Sequence, residues 1–91
     1  MNTIIYKYHI KLSAENNLRM PKGSIILGCQ VQHEDVVIWA KTPTKGLAED
    51  RHIRVFGTGQ IIDDSEGELI YIDTVQLRGG KFIFHVFELK I

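Results

Sequence analysis

Apolar and polar residues alternate with a period of two along most of this chain, and that period predicts strands. Thr3 to Leu12 opens with it: Tyr6, Tyr8 and Ile10 fall on one face, Ile5, Lys7 and His9 on the other. Ser13-Ala14-Glu15-Asn16-Asn17 reads as a turn or a short helical wind, and Leu18-Arg19-Met20 as a brief extended segment. Pro21-Lys22-Gly23 marks a turn, because proline fixes φ and glycine relaxes the next bend. Ser24 to Gln32 is a second strong strand, with Ile25, Leu27, Cys29 and Val31 opposing Ile26, Gly28, Gln30 and Gln32. Gly28 in mid-strand predicts a bulge, or a close approach by another backbone or a bulky ring. After the polar turn His33-Glu34-Asp35, Val36 to Thr42 is the hairpin partner. It carries Val37 and Trp39 on one face and Val36, Ile38 and Ala40 on the other. Two apolar faces predict a central or covered strand.

Pro43 to Asp50 is polar and loop-like. Arg51 to Phe56 is a fourth strand, Ile53 and Val55 against Arg54 and Phe56, broken by Gly57-Thr58-Gly59-Gln60. Ile61-Ile62 is expected to resume pairing before the acidic loop Asp63 to Gly67. The chain closes on two strands, Leu69 to Leu77 and Lys81 to Leu89, joined at Arg78-Gly79-Gly80-Lys81. The glycines supply the positive φ angles of a tight primed turn. In the last strand Phe82, Phe84 and Val86 share one face, and Ile83, His85, Phe87 and Leu89 the other. A hairpin this apolar cannot stand alone in water, so the earlier strands are expected to pack around it. No segment longer than about ten residues carries the helical period. The expected fold is all-β: a small antiparallel sandwich or partly open barrel of six to seven strands, one domain over residues 1–91.

Composition narrows the function classes. Eleven basic and eleven acidic side chains give zero formal net charge. A protein bound to nucleic acid by phosphate neutralisation usually shows a basic excess, and an acidic mimic of DNA the opposite. One cysteine, Cys29, rules out an internal disulfide framework and, inside an apolar run, fits a buried thiol in a reducing compartment. Met1 to Tyr8 lacks the basic region of a signal peptide, and no apolar run approaches the roughly 20 residues of a membrane span. The expected location is the cytoplasm.

Candidate chemistry is sparse. His9, His33, His52 and His85 have no metal-site spacing, although His9 and His85 could meet across neighbouring strands. Neither a nucleophile elbow nor paired carboxylates are present, so no catalytic residue, metal or cofactor is expected. The strongest ligand candidate is the loop Gly57-Thr58-Gly59, whose backbone N–H groups could face an anion. Arg51 and Arg54 would supply cations there, and Trp39 or Tyr8 an aromatic for stacking. The last strand is apolar on both faces, which a second subunit would cover; Ile83, His85 and Phe87 are the expected homo-oligomer interface.

A series of segments carries a resemblance. These are Ile5-Tyr6-Lys7-Tyr8, Leu18-Arg19-Met20-Pro21-Lys22-Gly23, Ile26-Leu27, Gln30-Val31-Gln32, Ile38-Trp39-Ala40, Arg54 to Gln60, and Phe82 to Glu88. Together the chain resembles a family of small proteins encoded by bacteriophages and prophages. The resemblance implies a setting, an accessory phage protein inside an infected bacterium, and transfers no site residue. It implies a first function: a non-enzymatic protein that binds and inhibits a host factor such as a defence component. A second reading is an oligomer that sequesters a small nucleotide-type ligand at Gly57 to Gly59. A third is a single-strand nucleic-acid binder of OB-like shape, which the zero net charge argues against.

Overall fold

A computed structural model describes residues 2–91. Seven strands form: β1 (Thr3–Ile10), β2 (Glu15–Pro21), β3 (Ile25–Gln32), β4 (Asp35–Pro43), β5 (Ala48–Gly57), β6 (Glu68–Leu77) and β7 (Phe82–Lys90), with one 3₁₀ turn at Asp64–Glu66. They make two antiparallel sheets, β1-β4-β3 and β2-β5-β7-β6, and no closed barrel. The all-β class is therefore as the alternation predicts. β4 is the centre of the first sheet, which explains its two apolar faces: Val36, Val37, Ile38 and Ala40 are all buried.

The core lies between the sheets. Ile10, Val36, Ile38 and Cys29 come from the first sheet; Ile53, Val55, Val75 and Val86 come from the second. Ile53 and Val86 are fully buried, so the closing hairpin is packed on as its composition requires. Its turn takes positive φ at Gly79 and Gly80, and also one residue earlier, at Arg78. The hairpin between β3 and β4 places His33 and Glu34 in the same left-handed region, the backbone of a two-residue primed turn without glycine.

Several local expectations are corrected. Glu15, Asn16 and Asn17 are neither turn nor helix but pair with β5 opposite Arg54, Ile53 and His52. The Asn16 side chain instead stitches the preceding corner, accepting from Lys11 N at 2.8 Å and donating to Lys11 O at 2.8 Å. Ala48, Glu49 and Asp50 belong to β5 for the same reason: β2 gives them partners. Ile61 does not resume pairing and is 93% exposed; residues between β5 and β6 carry the 3₁₀ turn, capped by the Asp63 side chain on Ser65 N at 2.9 Å.

Two bulges decide which side chains face the core. The β3–β4 register shifts between Ile26 and Gly28, and the β6–β7 register between Tyr71 and Asp73. An extra residue moves everything beyond it to the opposite face. Ile26 thereby packs on the core with Cys29 and Val31, while Ile25 and Leu27 are turned out, 57% and 53% exposed. The two bulged strands lie side by side where the sheets approach. There Asp73 accepts a hydrogen bond from Cys29 N at 3.2 Å, bridging the sheets with a side chain where no ladder forms. The close approach expected at Gly28 is this carboxylate, not a ring: a Cβ at Gly28 would sit 3.4 Å from Asp73 Oδ2.

Candidate functional site

The residues expected to surround an anion do not converge. Residues three apart on a strand face opposite ways, so Arg51 and Arg54 lie on opposite faces of β5. Arg51 points inward at one end of the sandwich. It forms a forked pair with Glu88, through Nε to Oε2 and through Nη2 to Oε1 at 2.9 Å, and donates from Nη1 to Ser24 O at 2.6 Å. Both side chains are nearly buried, 12% and 9% exposed. Burial pushes the Glu88 carboxyl up, but the hydrogen bonds and charge of Arg51, aided by Lys90, more than reverse this and hold it below its ordinary value. The same hydrogen bond to Glu88 raises Arg51. This cation already has its anion.

Arg54 lies on the outer face of the second sheet and is buried there, with Glu66 Oε2 3.9 Å from Nη2. Among the described residues its Nε has no partner, and Nη1 donates to Ile53 O at 3.3 Å. Gly57, Thr58 and Gly59 form a tight turn in which Gln60 N bonds Gly57 O at 3.1 Å and Gly57 N bonds the Gln60 side chain at 2.9 Å. Gly57 N is thus engaged within the loop. Thr58 turns to His85, Oγ1 to Nε2 at 2.8 Å, and His85 Nδ1 meets Thr74 Oγ1 at 3.1 Å. Thr74 in turn bonds the Tyr71 hydroxyl at 2.6 Å. Phe87 packs edge-on against Phe56 and Tyr71, with ring centroids 5.9 and 5.6 Å away. Of the expected oligomer residues, His85 and Phe87 are therefore half-buried in contacts within the chain, and Ile83 is the exposed one. His9 cannot meet His85: β1 and β7 are in different sheets, and each histidine is on its sheet's outer side.

Tyr8 and Trp39 part company as well. Tyr8 pairs with Ile38, on the core side of the first sheet, and burial raises its hydroxyl above the ordinary value. Trp39 pairs with Lys7 and Gly28 on the outer side. There it sits in a row of apolar side chains that the sequence reading did not assemble. Ile5 is 58% exposed and Ile25 and Leu27 nearly as much; Lys41 stands between Ile5 and Ile25 on β4, and Lys7 reaches across the face to donate to Gln32 Oε1 at 2.7 Å. The indole N–H donates to Gln30 Oε1 at 3.1 Å, which fixes the ring on the sheet. Ile5, Leu27, Gly28, Gln30, Trp39 and Asp73 line a shallow hollow of about 370 Å³. The sequence signal for this surface was Gly28: once the bulge is placed there, Leu27 and Ile25 must leave the core.

Cys29 lies on the other side of the same strand, fully buried. Burial, and then the Asp73 charge, push its thiol up to about 12, so it is a packing residue without nucleophilic character at neutral pH. Among the described residues no three His, Cys, Asp or Glu side chains gather as a metal site. Among the described residues no helix is long and apolar enough to cross a membrane.

Fold and surface together define a small two-sheet β domain with an exposed apolar face on its three-stranded sheet. Along its whole length, residues 1–91, the chain belongs to the family described as a domain of unknown function (DUF7352). Comparisons with curated proteins and with solved structures return no match.

Proposed function

We propose that this domain is a non-enzymatic binding protein that captures another protein on the outer face of β1-β4-β3, with Trp39 as the anchor. One observation carries the reading. Ile5, Ile25 and Leu27 are each more than half exposed around Trp39 on a single face. Apolar side chains scattered singly are ordinary, but a contiguous set costs free energy in water unless something covers it. A rigid indole at its centre is the residue type that most often dominates binding energy. Lys41, between Ile5 and Ile25, and Lys7, beside Trp39, put positive charge on the same face and favour a partner with an apolar anchor flanked by acidic groups. The resemblance to phage-encoded proteins supports a bacterial host protein as that partner, a defence component inhibited by occlusion in the host cytoplasm.

Affinity capture from bacterial lysate tests this, with wild-type protein beside Trp39→Glu and Leu27→Glu. Leu27 is more than half exposed, so Leu27→Glu should change the melting temperature little; Trp39 is half-buried, so Trp39→Glu is read at a temperature where its circular-dichroism spectrum is kept, and in both variants a polypeptide captured by the wild type should be lost. A partner retained by both variants overturns the assignment of the face. A small-molecule adduct in native mass spectrometry, with no polypeptide, turns the function towards ligand sequestration.

A further inference from the structure

The first sheet has an unguarded edge. Edge strands are usually blunted by charge, proline, bulges or cover, because their unpaired N–H and C=O groups template pairing with another chain. Three of the four edges here are managed. β2 carries Glu15, Arg19 and Pro21, while β3 and β6 are both bulged and joined through Asp73. β1 is different. It runs eight residues with one charge, Lys7, without proline or bulge, and Ile4, Ile5 and Tyr6 are 42%, 58% and 51% exposed.

The hydrogen bonds show which amides are free. Thr44 N donates to Asn2 O at 3.1 Å, and Thr42 Oγ1 donates to Ile4 O at 3.3 Å. In an antiparallel pair, alternate residues turn their backbone groups to the same neighbour. Even-numbered residues of β1 therefore bond β4, and Thr3, Ile5, Lys7 and His9 present N–H and C=O to the open side. Among the described residues no other element bonds those groups.

We infer that β1 pairs antiparallel with β1 of a second copy of this chain, joining two three-stranded sheets into one of six strands. The register follows from two constraints and from the length of strand that pairs. Only odd residues have free groups, so an odd residue must face an odd one, and Lys7 must not face the other copy's Lys7, because like charges directly opposite repel. Pairing Ile5 with Lys7 of the second copy, and Thr3 with its His9, satisfies both and uses almost the whole strand. Tyr6 then meets its own counterpart on the two-fold axis, and Ile4 meets Tyr8. The three exposed apolar residues of β1 all become interfacial. This inference is independent of the Trp39 reading, since it concerns the strand's edge and not the capture of a foreign protein.

Solution mass and a cross-link through one introduced cysteine, with the buried Cys29 left in place, test it. Light scattering, carried to the highest concentration the protein tolerates, should give twice the 10.4 kDa chain mass. Ile5→Pro removes an N–H that faces the open edge and none that bonds β4, so it should return the mass to that of one chain with the circular-dichroism spectrum kept. Tyr6→Cys places two thiols at a non-hydrogen-bonded pair, about 4.5 Å between Cα atoms, and should oxidise to a covalent dimer. Ile5→Cys puts its two copies on a diagonal, beyond disulfide reach, and should not. A chain that stays monomeric throughout, a dimer that survives Ile5→Pro, or a cross-link at position 5 but not 6 each overturns the inference. Trp39→Glu should leave the mass doubled whether or not it abolishes capture, so either reading can fail alone.

Discussion

Replacing Glu88 by glutamine takes one negative charge out of a pair that water barely reaches. The side chains of Arg51 and Glu88 are 12% and 9% exposed, and the guanidinium spends three donors on Glu88 and on Ser24 O. Glutamine keeps the volume and can still accept one N–H, but its amide turns a donor towards a donor. Losing one charge-assisted bond costs about 1.5–3 kcal/mol, and a buried pair broken from one side costs about 3–5 kcal/mol. Glu49 Oε1, 3.8 Å from Arg51 Nη1, offsets part of this, so about 3 kcal/mol is expected. For a domain of this length each kcal/mol is worth about 4–8 °C, which places the melting temperature roughly 12–24 °C lower.

The pH dependence carries the same sign. Glu88 is held below its ordinary value in the folded state, so its contribution is complete above the unfolded carboxyl range and is lost as pH falls through the folded value. Urea unfolding at a series of pH values should show a constant gap between wild type and Glu88→Gln near neutrality, closing only in acid. The double variant Arg51→Met with Glu88→Met should recover most of the loss, because it leaves no buried charge alone. A Glu88→Gln variant within about 1 kcal/mol of wild type at neutral pH, the range of exposed pairs, would refute the burial argument.

Two further predictions rest on packing. At Gly67, which caps the 3₁₀ turn, a Cβ would overlap the carbonyl oxygen of Lys90 and lie 3.2 Å from its carbon. Backbone cannot step aside as a side-chain tip can, so Gly67→Ala should destabilise by about 1–3 kcal/mol in urea unfolding, whereas at Gly79 a Cβ meets no atom within 4 Å and the positive φ is the only strain. Cys29, buried and with its thiol pushed up to about 12, should resist a thiol reagent at pH 8 in the native state and react at the rate of unfolding. Rapid native labelling would show that the sheets part at the Asp73 bridge.

Alternation alone determined the all-β class, the turns at Pro21 to Gly23 and at the Gly79-Gly80 pair, the central place of β4, and the two faces of β7. Those features are local: a period of two and a glycine in the left-handed region need no distant partner to be read. Residues 15–17 became strand because Arg54, Ile53 and His52 lie opposite them, and residues 48–50 because Pro21, Met20 and Arg19 do, pairings that polar composition conceals. The bulges at Leu27 and Ile72 lie beyond alternation too, since one unpaired residue inverts every face that follows and the sequence marks only one of them with a glycine. Tertiary structure alone decided that Arg51 is consumed by Glu88 and that Trp39 stands among Ile5, Ile25 and Leu27. Charge pairs and exposed faces are set by which strands become neighbours, and that depends on the whole chain finding cover for its apolar surface.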